Sequence, residues 1–128
     1  VSPFPLTTGR AVPGKHGAAA VAGLLGQRVA RLVALHIPAR RYLAATDPGL
    51  ALSPESARTL GCQGGAMAPE EAAAFESDPD FGAAVALRRA DDAGKVVGLR
   101  VPGLDRWRPV VAAASAAEAR GTVRSARP

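Results

Sequence analysis

Four proline-centred signals between residues 47 and 80 constrain this chain more than any other feature of its sequence. Asp47-Pro48-Gly49 is a turn. Ser53-Pro54-Glu55 reads as a helix cap, a first-turn proline and an acid at the positive end of the helix dipole. Pro69-Glu70-Glu71 and Asp78-Pro79-Asp80 repeat that arrangement. Each proline forbids a continuous helix or a central strand through its position. Between residues 47 and 80 the chain is therefore expected to fold as short helices joined by turns.

The apolar spacing fills in these segments. Val21, Leu24 and Leu25 form one face, and Val29, Leu32, Val33 and His36 recur as a second or continuing helix as far as about Leu43. Pro38 predicts either a kink just after His36 or a fresh helical start. Short helices are predicted from Pro54 to Leu60 and from Pro69 to Phe75. Another follows Asp80, with Phe81, Ala84, Val85 and Arg88 along one face, and a last one runs from Leu104 to about Glu118. No strand pair is supported, so the expected fold class is all-α. Three regions follow: an extended or disordered lead over 1–14, a helical region over 15–118, and a basic flexible tail over 119–128.

Composition limits what such a bundle can be. Of 128 residues, 48% are hydrophobic but only 4% aromatic, and 14 glycines and 11 prolines are present. Most of the apolar count is small, so a core of modest stability is expected. Cys62 is the only cysteine, which excludes an internal disulfide and a cysteine-based metal motif. The N-terminal stretch does not read as a secretory signal, and no apolar run is expected to reach the roughly 20 residues needed to span a bilayer. The expected location is cytoplasmic, without a membrane partner. The net charge is +5, and every acid follows residue 46, so the first third of the chain favours anionic partners.

Few residues can carry chemistry. His16 and His36 are the two histidines, and neutral imidazole is a common ligand of first-row metals, although a histidine satisfied by a backbone carbonyl would have the same spacing. Arg40 follows His36 by one helical turn, which could hold an anionic substrate against an ion; the alternative is a solvated helix end shared with Arg41. Ser56, Thr59 and Gln63 place two hydroxyls and an amide on one side of a helix and its exit. Arg88, Asp91 and Lys95 share a face, with Arg89 and Asp92 beside them. They form either a charge ladder or a site with Asp91 on a metal and Arg88 on an anion.

The succession of pieces over residues 36 to 99 resembles the C-terminal half of HD-superfamily proteins. The nearest branch contains phosphonate-cleaving mixed-valence di-iron oxygenases and HD phosphohydrolases. The resemblance rests on His36 followed by Arg40-Arg41-Tyr42-Leu43, on Leu52-Ser53-Pro54, on Gln63-Gly64-Gly65-Ala66-Met67, and on the run from Arg88 to Lys95. It implies metal ligands at His36 and Asp91, with His16 as the preceding ligand histidine at a shortened interval. It implies a divalent or mixed-valence metal cofactor, iron first. Arg40, standing where the family usually has lysine, and Ser56, Thr59 and Arg88 would surround a small phosphonate or phosphate compound. The family's upstream histidine and its His-Asp pair have no counterpart in this sequence.

Three readings follow. One is a metal-dependent hydrolase or di-iron oxygenase. The second is an inactive, truncated helical protein that binds an anion, or a second subunit that completes the fold. The third, nonspecific nucleic-acid binding by the basic surface, is disfavoured because no aromatic stacking platform or recognition motif accompanies the charge.

Overall fold

The computed structural model describes residues 15–125, and the predicted lead over 1–14 lies outside the described residues. It holds α1 (Lys15–Ala34), α2 (His36–Thr46), α3 (Pro54–Cys62), α4 (Pro69–Glu76), α5 (Phe81–Gly94) and α6 (Leu104–Ser125). No strand occurs among the described residues, so the fold is all-α.

Helix starts follow the proline signals. Ser53 accepts the Ser56 N–H at 3.2 Å and Pro54 opens α3. Pro69 opens α4, and Glu71 reaches back to accept the Ala68 N–H at 2.9 Å; alanine has no hydroxyl to return the bond, so half a capping box forms. Asp47 accepts the Gly49 N–H at 3.0 Å and closes the predicted turn. Pro38 marks a fresh start: α2 begins at His36, which leaves the proline in its first turn, where no intrahelical N–H is required.

α1 is broken at Gly26, whose φ of 83° and ψ of 171° lie outside the helical region. The same glycine permits close approach, since a Cβ there would run into the carboxyl of Glu118 on α6. That last helix extends through Ser125, so residues 119–125 are helical rather than a flexible tail. Its alanine-rich course favours helix, and Thr122 adds a bond to the Glu118 carbonyl at 3.1 Å.

The sequence expectation about apolar length needs correction. By length and composition His16–Thr46 would suffice to cross a membrane. The alanine, valine and leucine of α1 run on into α2 with few charges, but Gly26 interrupts them, and Arg31, Arg40 and Arg41 are held by partners within the bundle.

α2 is the centre of the bundle and packs on α1, α4 and α5, while α6 lies along α1. Leu35, Ala39, Met67, Ala72, Phe75 and Ala84 form the core. Tyr42, Phe75 and Phe81 meet edge to face with ring centroids 5.0–5.6 Å apart. These three hold most of the chain's few rings. At the α1–α5 corner, Arg31 grips Asp78 and Asp80, the latter at 2.9 Å, and Arg28 adds a bond to Asp80 at 3.2 Å.

Candidate functional site

The candidate site lies where α2 crosses α5. On α2, His36, Ala39 and Leu43 recur at three and four residues and share a face. On α5, Ala84, Arg88 and Asp91 do the same. Ala39 and Ala84 are fully buried. Side chains this small at the crossing let the two backbones approach, and the residues one turn further on are brought together.

His36 Nε2 stands 3.4 Å from Asp91 Oδ2. Arg88, with its side chain 8% exposed, places Nη1 3.0 Å from His36 Nε2 and 3.4 Å from Asp91 Oδ2. Its Nε and Nη2 clasp Asp92, the former at 3.0 Å. Lys95 reaches Asp91 at 2.6 Å and Asp92 at 3.5 Å. A guanidinium can only donate, so His36 Nε2 is an acceptor here and the ring proton belongs on Nδ1. Partial burial, then the Arg88 charge, lowers the His36 pKa below its ordinary value, against the raising effect of Asp91. The imidazole is therefore neutral at pH 7. The hydrogen bond from Lys95 keeps Asp91 ionised by holding its carboxyl below the usual range, and the Lys95 and Arg88 charges add to it against burial. Two acceptors thus face one another across a cation.

Arg40 enters from the α3 side. Its guanidinium donates to Gln63 Oε1 at 3.1 Å and to the Ser56 carbonyl at 2.6 Å, and its buried Nε has no hydrogen-bond partner. Burial, then the Arg88 charge, lowers the Arg40 pKa, and Asp92 and Asp91 oppose that. Arg40 therefore shares the electrostatic field of the α5 cluster. Arg41 points to the other side of α2 and is structural, bonding Gly65 O at 2.9 Å and both oxygens of Glu71.

The predicted site residues divide accordingly. His36, Arg88 and Asp91 come together, and Arg40 lies beside them. Ser56 is half-buried and contributes its carbonyl. Thr59 is exposed, and its hydroxyl donates back to the Glu55 carbonyl at 2.9 Å. His16 is exposed on α1, and no three His, Cys, Asp or Glu side chains among the described residues are grouped to hold one ion. Ten residues of helix, about 15 Å, separate His16 from the Gly26 break, which removes it from the register of α2.

The charge ladder on α5 and the pairing with His36 coexist, because Arg88 serves both. Sequence reasoning underrated Asp92, which carries the guanidinium fork. The four-residue spacing from Arg88 was the available signal.

His36 and Asp91 have the donor chemistry of transition-metal ligands. Two atoms on one ion at ~2.1 Å each lie about 3.0–3.4 Å apart. Their separation of 3.4 Å suits adjacent corners of one coordination sphere. The described residues thus fit two ligand positions of a metal site and supply no third.

No protein-family model matches the sequence. The chain is 42% identical over 93 residues to a hydroxymethylphosphonate dioxygenase of Gimesia maris, covering 71% of this chain and 46% of that protein. It is 40% identical over 81 residues to a [1-hydroxy-2-(trimethylamino)ethyl]phosphonate dioxygenase (glycine-betaine-forming) of Leisingera caerulea, 62% of this chain and 41% of the relative. An uncharacterized protein of Acanthamoeba polyphaga mimivirus is 37% identical over 82 residues, 37% of its length. The chain spans less than half the length of these curated relatives, and two of them are phosphonate dioxygenases.

Proposed function

We propose that this chain carries part of a metal-dependent, phosphonate-acting oxygenase site of the HD-domain kind. The convergence of His36 Nε2 and Asp91 Oδ2 at 3.4 Å, on helices far apart in sequence, is the observation that carries the reading. The names of the two dioxygenase relatives favour oxygenase over hydrolase chemistry.

In this reading His36 and Asp91 are two of the metal's ligands, and iron is the metal. Bound there, iron would supply the redox chemistry with dioxygen and polarise a phosphonate oxygen. The protein's own contribution is electrostatic. Arg88 and Arg40 offer planar donor sets that match the oxygens of a phosphonate. Gln63 and the Ser56 carbonyl hold Arg40 in place. The neutral His36 ring needs to lose no proton to serve as a ligand, although its Nε2 lone pair faces Arg88 in this structure. Ser56 and Thr59 belong to the anion's surroundings in this reading, Ser56 the nearer through Arg40.

The exposed position of His16 favours a second reading, in which the chain binds an anion or a complementing subunit without turnover. Iron analysis decides between them. Protein purified with Fe(II) should retain iron, and both His36→Ala and Asp91→Asn should remove it. Iron content indifferent to both substitutions would end the metal-site reading.

A further inference from the structure

The lone pairs that would face a metal are engaged by cations of the chain itself. Arg88 Nη1 lies 3.0 Å from His36 Nε2 and 3.4 Å from Asp91 Oδ2, and Lys95 Nζ lies 2.6 Å from that same Asp91 oxygen. Around this point Arg40, Arg88 and Lys95 oppose only Asp91 and Asp92, with His36 neutral. Such a cluster attracts an anion and repels a bare dication. Both blocking groups can move. Lys95 is 57% exposed on a flexible stem, and Arg88, a rigid planar fork, can withdraw Nη1 only by turning together with the Asp92 carboxylate it clasps, which is 33% exposed.

We propose that a phosphonate-class dianion and a metal ion bind this site cooperatively, because the anion draws Arg88 and Lys95 off the donor atoms of His36 and Asp91. Arg88 and Lys95 are therefore coupling residues as well as anion contacts. The proposal rests on His36 and Asp91 being metal ligands. Coupling of this kind is reciprocal: the factor by which the anion tightens the metal equals the factor by which the metal tightens the anion.

The test is calorimetric titration of the full chain with Co(II), with and without saturating methylphosphonate, for the wild type and for Lys95→Met, Arg88→Gln and His36→Ala. Methylphosphonate should tighten Co(II) binding to the wild type by roughly three- to tenfold, the range expected when one or two partly exposed ion pairs are relieved. Lys95→Met should tighten Co(II) binding without the anion and shrink the anion's effect, and Arg88→Gln should do so more strongly. Lys95 is exposed at the end of α5, so its variant remains informative if Arg88→Gln fails to fold. Coupling of undiminished size in Lys95→Met and Arg88→Gln would show that phosphonate acts by contacting the metal directly, and the proposal would fall while the metal site stood. Loss of Co(II) binding in His36→Ala supports the ligand reading. Co(II) binding that is absent, or unchanged by His36→Ala, would overturn the ligand reading and the coupling with it.

Discussion

Asp92→Asn is the substitution that tests the candidate site most directly, because the Asp92 carboxylate clasps Arg88 through two nitrogens while the Arg88 side chain is only 8% exposed. Asparagine preserves the shape but removes the charge and replaces one acceptor with an NH₂ donor. That donor faces another donor, so one hydrogen bond is lost and the other becomes neutral at its acceptor. Hydrogen bonds to charged groups contribute ~1.5–3 kcal/mol, and stranding a buried charge costs about 3–5 kcal/mol. The cost here sits at or below the low end of those ranges for two reasons. Asp92 is 33% exposed and water screens it, and Asp91 and His36 remain within reach of Arg88. A loss of about 1–2 kcal/mol is expected, which for a domain of this size lowers the thermal midpoint by roughly 4–8 °C. Thermal unfolding followed by circular dichroism at pH 7 measures it, with Arg89→Ala as the comparison. Arg89 also makes an ion pair, to Asp47 at 3.0 Å, but it is 58% exposed, so its loss should cost at most ~0.5 kcal/mol. If the two variants shift equally, or if Asp92→Asn moves the midpoint by less than about 2 °C, the premise that burial of Arg88 sets the strength of this cluster is wrong.

Two further outcomes follow from the packing around the site. Phe75→Ala deletes a fully buried ring that touches both Tyr42 and Phe81, and should cost about 3–5 kcal/mol in urea unfolding; a loss under ~1 kcal/mol would mean that the edge-to-face cluster is not formed. Glu71 has its pKa lowered by the Ala68 N–H and by Arg41, with burial opposing, so its contribution is complete above the ordinary value near 4.5 and is lost as pH falls through the lower folded value. Urea midpoints measured across that acid range should therefore fall less steeply in Glu71→Gln than in the wild type, and parallel curves would contradict the assignment.

The helix boundaries were legible because they are written locally. A cap, a first-turn proline and an acid act within four residues, so Pro54, Pro69 and the turn at Asp47 could be placed from sequence alone. Helix α6 runs on past Glu118 to Ser125 although Gly121 lies in its path, because an isolated glycine costs a helix only about 1 kcal/mol relative to alanine and the alanine-rich course outweighs it. The Arg31 grip on Asp78 and Asp80 joins residues 47 and 49 apart, and no periodicity reports a contact at that range. The proximity of His36 to Asp91 was accessible only through resemblance to a family. The same resemblance suggested His16, which the Gly26 break removes from the register of α2.

Small side chains read from composition as a weakness, and in the core they are one. At the crossing of α2 and α5 they have a second consequence. Ala39 lies three residues after His36 and Ala84 seven before Asp91, each on the same face as its partner and each fully buried. A larger residue at either position would fill more volume but would force the helices apart, and helix axes separate according to the side chains at their contact. Donor atoms 3.4 Å apart cannot tolerate that movement and still share one ion. The alanine content that limits the stability of this bundle is therefore also the condition for His36 and Asp91 to meet.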